Sequence, residues 1–311
     1  MNDVVVVLVS YNREQLLGQC LDAIAAQTCT PAGVVVVDNA STDGSAALAK
    51  AHAAATDVVC LPHNTGGAGG FAAGMAFALQ RYPGAKWLWL MDDDTIPHPD
   101  CLEQLLRTAD AYPGQPALLA SEAVWVNGNV HPMNRPRTRS LLRQSYHEHA
   151  TSVAARQVRT ASFVSVLVDA REVRRVGLPC AAYFLWNDDF EFTARLLRRR
   201  VGLYVPSARV EHRTKKFGAS DADPGERFRF EVRNKLWTYL RSMPFGVLEA
   251  PLYVGSTLRR WVRTVVGSSD RSRLLRAGRL GFAEGVRRPD TTAQVLAGTP
   301  VEDAVREVEP K

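Results

Sequence analysis

The sequence predicts an α/β fold in which a mostly parallel central sheet is flanked by helices and followed by a C-terminal helical extension. Apolar, β-branched runs without polar alternation indicate strands that are buried on both faces. Segments with helical periodicity separate these runs, and the short connections are typical of right-handed units in a parallel sheet. The chain has 311 residues, of which 46% are apolar and 23% charged, so it can form a large core.

The predicted elements follow one another in a regular order. In turn, they are strand 3–10, helix 13–27, strand 33–37, helix 46–55, strand 57–61, helix 71–81, strand 86–91, helix 101–112, strand 161–169, a loop and helix over 183–200, strand 201–210, and helices from 228 onward. The stretch 115–157 is rich in Pro, Arg and His and has weak periodicity, so no element is predicted there.

The pattern divides the chain into three parts. An α/β domain is expected over 1–225, a basic helical region over 226–288, and a flexible tail over 289–311. Between Arg227 and Arg288 there are 14 Arg and Lys residues against 4 Asp and Glu. The net charge of +6 therefore comes from the C-terminal third of the chain.

The start of the chain favours a cytoplasmic protein. The apolar run from Val4 to Val9 is broken by Tyr11, Asn12 and Arg13, so neither a signal peptide nor a membrane span is predicted. The five cysteines are widely spaced without a CxxC pair, which favours neither a disulfide framework nor a zinc site.

Polar clusters follow four of the predicted strands at the point where each strand ends. They lie at 10–13, 38–43, 64–70 and 92–94. Ligands of folds with parallel sheets bind at the carboxyl ends of the strands, so we expect these clusters to surround one site. The first cluster contributes Ser10, Asn12 and Arg13 as candidate ligand contacts.

Asp92, Asp93 and Asp94 follow the strand 86–91 directly. Adjacent carboxylates repel one another, and such a group of hard oxygen ligands is typical of Mg²⁺ or Mn²⁺ sites. Side chains alternate along an extended chain, so Asp92 and Asp94 would bind the metal from one side while Asp93 serves another group on the opposite side. A solvated acidic turn and a helix N-cap are the alternatives.

The glycine-rich cluster 64–70 suits a phosphate group. Gly66, Gly67 and Gly69 have no Cβ, so backbone N–H groups beyond Asn64 could approach a pyrophosphate near a helix N-terminus. A tight turn with close packing explains the same glycines.

Asp38 ends the second predicted strand and could accept hydrogen bonds from a nucleobase or a ribose. Ordinary turn chemistry explains the neighbouring Asn39, Ser41 and Asp43 equally well.

Trp186, Asp188 and Asp189 lie where the loop leads into the helix of the predicted segment 183–200. A carboxylate close to an aromatic side chain and to other acids can have a raised pKa, as a general base requires. Acidic residues in a first turn are also explained by the helix dipole. His212 follows the strand 201–210 and could add a nitrogen ligand to the metal, although a lone histidine is more often an ordinary hydrogen-bonded residue.

In this order, the segments resemble enzymes of glycosyltransferase family 2, which have the GT-A fold, a Rossmann-like α/β architecture. The resemblance runs from about Val4 to about Trp237, and its marks are VSYNR, VVDNASTDG, NTGG, an Asp-x-Asp element and an Asp-Asp helix start. It implies a nucleotide-sugar-binding catalytic domain with a UDP- or dTDP-sugar donor and Mn²⁺ or Mg²⁺. The implied roles are a uracil or thymine contact for Asp38, metal and diphosphate binding for Asp92 and Asp94, the catalytic base for Asp189, and a further metal ligand for His212.

Within that family, GGAGGFAAGM and the later Arg233-Asn234-Lys235 resemble bacterial galactofuranosyltransferases and the related rhamnosyltransferases. The expected function is inverting transfer of galactofuranose or rhamnose to a hydroxyl of a glycan or glycolipid acceptor in cell-envelope polysaccharide synthesis. Two adjacent acids leave open whether Asp188 or Asp189 is the base. A metal-dependent nucleotidyltransferase and a catalytically silent sugar-nucleotide-binding protein are the alternative functions.

The arginines of the C-terminal third lie among leucines and valines, which favours a basic amphipathic surface on the cytoplasmic leaflet of the plasma membrane. Acceptors of related enzymes are carried there on polyprenyl diphosphate. No helix-turn-helix, zinc or RNP pattern supports nucleic-acid binding. A helical face that forms a homo-oligomer is the remaining alternative.

Overall fold

The computed structural model describes residues 3–139, 144–214, 217 and 223–309. The strands are β1 (Val4–Ser10), β2 (Gly33–Asp38), β3 (Asp57–Cys60), β4 (Trp87–Asp92), β5 (Thr95–Pro97), β6 (Pro116–Val124), β7 (Arg137–Thr138), β8 (Arg156–Thr160), β9 (Ser165–Asp169) and β10 (Val201–His212). The helices are α1 (Glu14–Ala25), α2 (Ser45–Ala51), α3 (Gly66–Arg81), α4 (Cys101–Ala111), α5 (Gln144–Ser152), α6 (Ala170–Val176), α7 (Asp188–Leu196), α8 (Phe228–Trp237), α9 (Ala250–Gly267), α10 (Arg271–Gly285), α11 (Thr292–Val295) and α12 (Glu302–Val308).

The strands form one mixed sheet in the order β3-β2-β1-β4-β9-β6-β10-β8-β7, with β5 paired to β10. The first four strands are parallel, β9 runs antiparallel to both β4 and β6, and β10 is parallel to β6. This arrangement confirms the predicted α/β fold with a mostly parallel sheet. The strand order reverses between β1 and β4, and crevices at such reversals bind ligands in α/β proteins.

The pairing register brings the polar strand ends together. Ser10 of β1 lies opposite Asp38 of β2, and Val9 lies opposite Asp92 of β4. All seven residues of β1 are buried, as expected for a strand covered by helices on both faces. Its side chains alternate between two core clusters, and the cluster on one face includes residues of α3 while the other includes residues of α1.

The stretch 115–157, for which no element was predicted, contains β6, β7, α5 and the start of β8. All nine residues of β6 are buried in the middle of the sheet. Its sequence, PALLASEAV, contains one β-branched residue, so local propensity alone does not indicate a strand. Pairing with β9 and β10 stabilises it instead.

The prediction of a flexible tail over 289–311 is wrong for the described residues up to 309. A capping box at Thr291 starts α11, and Leu296, Val301 and Val305 are buried in the core cluster that contains α3 residues. Tertiary burial, which short helices need for stability, was not visible in the local pattern. Among the described helices, none is long and apolar enough to cross a membrane.

Candidate active site

Asp92, Asp94 and His212 come together at the carboxyl edge of the sheet. One ligand atom from each residue lies within 4.8 Å of the other two. The antiparallel pairing of β5 with β10 places His212 opposite Thr95, directly after the acidic run. The structure thus brings together the residues that were predicted to bind a metal, although His212 follows Asp92 by 120 positions in the chain.

The orientation of His212 suits a metal ligand. Its Nδ1 lies 2.9 Å from Oδ1 of Asn134, and an amide oxygen can only accept, so Nδ1 carries the hydrogen. In the neutral ring, Nε2 then presents a lone pair 3.2 Å from Oδ1 of Asp94. Two acceptors at this distance need a cation between them, either a proton or a metal ion. Two carboxylates and one imidazole fit a divalent metal ion at this place.

The pKa values of the two acids in this group are shifted in opposite directions. Burial raises the pKa of Asp92 well above its ordinary value, and the charge of Asp94 raises it further. Burial also acts to raise the pKa of Asp94, but the hydrogen bonds and charges of His212 and Arg13 outweigh it, so that pKa is lowered. Arg13 donates Nη1–H to Oδ2 of Asp94 at 2.9 Å. A divalent cation would offset the repulsion between these carboxylates.

Asp93 is not one of the three residues that come together here, and its carboxylate contacts the end of β1 instead. Its Oδ2 accepts from the hydroxyl of Ser10 at 2.9 Å and from the backbone N–H of Tyr11 at 3.1 Å. Burial, followed by the charge of Asp94, raises the pKa of Asp93 to about 6. Ser10 and Asp93 therefore join the ends of β1 and β4, and a contact of either residue with a ligand stays a prediction.

Asp38 has an unusual carboxyl oxygen. The side chain is 4% exposed, and its Oδ2 accepts from the backbone N–H of Ser41 at 3.2 Å. Its Oδ1 is buried and has no hydrogen-bond partner among the residues that the structure describes. Leaving such an acceptor unpaired is costly, so the site fits the N–H group of a ligand.

Asn12 and Asn64, which were predicted to contact a ligand, form hydrogen bonds within loops of the structure. Oδ1 of Asn12 accepts from the backbone N–H of Thr42 at 2.7 Å, which joins the loops after β1 and β2. Oδ1 of Asn64 accepts from the backbone N–H of Gly66 at 2.7 Å. These amide oxygens thus have turn-forming roles, and direct ligand contacts of Asn12 and Asn64 stay predictions.

The glycine-rich cluster is the first part of α3 rather than a loop before the helix. Added Cβ atoms would lie 2.0 Å from the carbonyl oxygen of Phe184 at Gly66, 2.4 Å from the Thr65 side chain at Gly69, and 2.5 Å from the Val9 side chain at Gly70. Close packing therefore explains these three glycines. At Gly67, no atom of the described chain would lie within 4 Å of a Cβ. Of the predicted phosphate contacts, this position has open space for a ligand.

Asp188 and Asp189 begin α7 and interact electrostatically with the Asp92, Asp94 and His212 group, since their charges raise the pKa of Asp92. Burial, and then the charge of Asp189, raises the pKa of Asp188 to about 8. Burial also raises the pKa of Asp189, while Lys235 and Arg137 oppose this effect. Burial thus shifts the pKa of both acids in the direction that a general base needs.

The two acids differ in their position relative to an open pocket, which Asp189 lines and Asp188 does not. Asp189 lines this pocket together with Asn134, Arg137, Phe190 and Lys235. Because Asn134 also holds His212, this pocket adjoins the metal-binding group.

Trp186 is half-buried beside these acids, and its backbone carbonyl accepts from Asn234 at 2.7 Å. A contact between its indole ring and a substrate stays a prediction.

Comparisons with known proteins agree with this geometry. The model of the family described as Glycosyl transferase family 2 matches residues 5–156. Galactofuranosyltransferase GlfT1 of Mycobacterium tuberculosis is 30% identical over 258 residues, which cover 76% of this chain and 82% of the relative. The chain belongs to glycosyltransferase family 2. The Rhizobium meliloti succinoglycan biosynthesis protein ExoO is 31% identical over 130 residues, 40% of this chain and 35% of that protein.

Solved structures show that this glycosyltransferase has the GT-A fold. Residues 1–349 of Staphylococcus aureus TarS match with a TM-score of 0.58 at 16% identity, over 99% of this chain and 88% of that one. GalNAc-T7, solved with UDP, GalNAc and Mn²⁺, matches with a TM-score of 0.57 at 16% identity, over 75% of this chain and 48% of that one.

Three residues of this glycosyltransferase site were missed as site residues in the sequence. Asn134 ends a short turn in the stretch without predicted elements, Arg137 lies just beyond it, and Lys235 was noted as part of a family mark without a role. Lys235 is 1% exposed, and its ammonium lies 3.1 Å from the centroid of the Phe190 ring. The motif in which Lys235 occurs was the available signal, whereas nothing local marks Asn134.

Proposed function

We propose that this glycosyltransferase moves a sugar from a UDP- or dTDP-sugar to a hydroxyl of a glycan or glycolipid acceptor, with inversion at the anomeric carbon. One observation carries the proposal: the Asp92, Asp94 and His212 group lies beside the acids that begin α7, at one edge of the sheet. Such an arrangement pairs stabilisation of a diphosphate leaving group with a base for the incoming hydroxyl.

On the donor side, Asp92, Asp94 and His212 would hold Mn²⁺ or Mg²⁺. When bound, the cation supplies Lewis-acid stabilisation of the charge that develops on the leaving diphosphate. The unpaired Oδ1 of Asp38 would accept the imide N–H of uracil or thymine. Gly67, at the start of α3, would allow the diphosphate to approach the helix N-terminus.

On the acceptor side, Asp189 would take the proton from the attacking hydroxyl, since it lines the pocket. Asp188 would stay protonated beside it at neutral pH, because its pKa is raised to about 8. One base acting opposite the leaving group gives a single displacement. Retention through a covalent intermediate would need a separate carboxylate nucleophile, and Asp93 is engaged by Ser10.

The relatives support a candidate for the donor sugar. GlfT1 is described as a galactofuranosyltransferase, so UDP-galactofuranose is the first candidate and dTDP-rhamnose the second. ExoO is described as a succinoglycan biosynthesis protein, which supports a role in polysaccharide synthesis for this chain.

Thermal shifts with a panel of UDP- and dTDP-sugars plus Mn²⁺ would identify the donor, because a bound ligand stabilises the folded state. Release of UDP or dTDP with the matching sugar and an acceptor then tests transfer. Release of pyrophosphate from a nucleoside triphosphate would instead indicate a nucleotidyltransferase. Binding without turnover of any donor would indicate a silent sugar-nucleotide-binding protein.

The acceptor side of the proposal includes a membrane surface. Of the 17 exposed large hydrophobic side chains in the described chain, 12 lie between Leu240 and Val286. On α9, Leu258, Val262 and Val266 recur every fourth residue among exposed arginines. A helix with this pattern suits the surface of an anionic membrane, where a polyprenyl-diphosphate-linked acceptor would be found.

Flotation with anionic liposomes at low salt tests this attachment. The wild type should float, whereas a Val262→Glu, Val266→Glu double variant should remain at the bottom. Val126→Glu, at an exposed valine outside this surface, is the matched control and should float. A wild type that stays at the bottom would refute the attachment, and self-association measured by light scattering would then favour an oligomer surface.

A further inference from the structure

The segment that leads into Asp188 and Asp189 has a strained backbone. Phe184, Trp186 and Asn187 have φ values of 61°, 67° and 64°, which residues other than glycine rarely adopt. Three such residues within four positions persist only where surrounding contacts hold them. The contacts that hold this segment therefore also determine where α7 begins.

Asn234 of α8 supplies the largest set of these contacts. Its side chain is completely buried, and Nδ2 lies 3.0 Å from the carbonyl oxygen of Tyr183, 2.9 Å from that of Leu185 and 2.7 Å from that of Trp186. The two amide hydrogens are thus shared among three carbonyl groups. All three carbonyls precede the first turn of α7, and those of Leu185 and Trp186 lie outside any helix.

Two neighbours on α8 extend the contact. Nη2 of Arg233 donates to the carbonyl oxygens of Ala182 and Tyr183, each at 2.9 Å, and its Nε donates to Oδ1 of Asn234 at 2.9 Å. Glu231 accepts from Nδ2 of Asn187, the residue before Asp188, at 2.8 Å.

We propose that Glu231, Arg233 and Asn234, here called the α8 clamp, are positioning residues that hold Asp189 where it can deprotonate the acceptor. The inference rests on the proposed function. The clamp binds the backbone of 182–187 and acts on the reaction through the start of α7. A displacement of about 1 Å in a catalytic group can lower turnover on the order of 10²-fold.

The segment 182–187 has a second attachment to the fold that does not depend on the α8 clamp. The hydroxyl of Tyr183 lies 3.1 Å from that of Thr238, and the ring packs against Trp237, so the segment keeps an anchor when Asn234 is shortened. Asn234→Ala should therefore fold while the carbonyls of Leu185 and Trp186 lose the amide that donates to them, and Arg233 still donates to the carbonyl of Tyr183.

The test compares Asn234→Ala and the milder Arg233→Lys with wild type. Arg229→Lys is the matched control, since Arg229 lies on the same helix and pairs with Glu284 instead. We expect kcat to fall about 10²-fold in Asn234→Ala and about tenfold in Arg233→Lys. The KM for the donor and the affinity for UDP or dTDP with Mn²⁺ should change much less than kcat, because Asp38, Asp92 and Asp94 lie outside the segment 182–187.

Amide hydrogen exchange supplies a measurement that needs no turnover. Exchange over 182–190 should accelerate in Asn234→Ala and remain at the wild-type rate in Arg229→Lys. Equal exchange in Asn234→Ala and wild type, or an equal loss of kcat in Arg229→Lys, would overturn the clamp. A wild type that turns over no donor would defeat the proposed function instead, and exchange would still decide whether the clamp holds the segment.

Discussion

We call the side of the candidate site with Asp38 and Asp92 the donor half and the side with Asp189 the acceptor half, after their proposed roles. The two halves are built in different ways. In the donor half, Asp38 and Asp92 end regular parallel strands, and their positions follow from the register of the sheet. In the acceptor half, Asp189 follows a strained segment that is held by side chains of a helix beyond the sheet. The donor half thus depends on backbone pairing, whereas the acceptor half depends on side-chain contacts from the C-terminal region.

This difference indicates how the two halves should respond to mutation. Sheet register is set by many backbone hydrogen bonds. Replacing a single side chain in the donor half should therefore change the chemistry of the site without moving the neighbouring residues. A side chain such as Asn234 holds several carbonyls at once, so changing it should move the acceptor half.

The largest effect is expected from the metal-binding acids. Asp92→Asn and Asp94→Asn should each lower Mn²⁺-dependent transfer by about 10⁴-fold, equivalent to about 5.5 kcal/mol of transition-state stabilisation. Thermal unfolding should show that both variants fold. Turnover retained in both variants would contradict a metal-binding role for Asp92 and Asp94.

The second effect separates the adjacent acids of the acceptor half. Asp189→Asn should lower kcat by about 10³-fold, as expected for loss of a general base, while Asp188→Asn should have a smaller effect. In the wild type, kcat should fall as the pH falls through the raised pKa of the base. A greater loss in Asp188→Asn would assign the base to that residue.

The contact between Asn134 and His212 is expected to have an intermediate effect. Asn134→Ala removes the acceptor that orients the imidazole and should weaken Mn²⁺ binding by about 10–100-fold in calorimetry. Asn134→Asp keeps an acceptor at this position and is the control. Equal affinity in Asn134→Ala and wild type would show that the sheet alone orients His212.

The pH dependence of stability tests the protonation of the acceptor half. Since folding raises the pKa of Asp188 to about 8, the folded state binds its proton more tightly than the unfolded chain does. Its contribution to stability is complete below about pH 4, near the ordinary pKa of an aspartate, and is lost as the pH rises towards 8. The Tm of the metal-free protein should therefore fall over this range, and Asp188→Asn should make the decline shallower. An identical decline in both proteins would contradict this protonation.

The smallest effect is expected at the glycines of α3. Gly67→Ala adds a Cβ in open space and should raise the free energy of unfolding by about 0.4–1 kcal/mol. It should also weaken donor binding if the diphosphate approaches this residue. Gly70→Ala, whose Cβ would lie 2.5 Å from Val9, should instead destabilise the fold. Unchanged donor affinity in Gly67→Ala would show that the diphosphate does not approach this residue.

The sequence determined the features that depend on local pattern. Hydrophobic periodicity and strand-end chemistry predicted the order of the first elements and the polar edge of the sheet, where Asp38 and Asp92 end their strands. The family resemblance, based on short motifs, was also confirmed. These predictions succeeded because a strand buried on both faces and the polar residues after it are encoded in consecutive positions.

Only the tertiary structure decided the features that depend on distant contacts. Asn134 meets His212 across 78 positions, and Asn234 meets Tyr183 across 51. The packing role of the glycines and the burial of α11 and α12 likewise appear only when helix and sheet surfaces meet. Such contacts arise from the packing of whole elements, so no local periodicity records them, and the acceptor half consists largely of contacts of this kind.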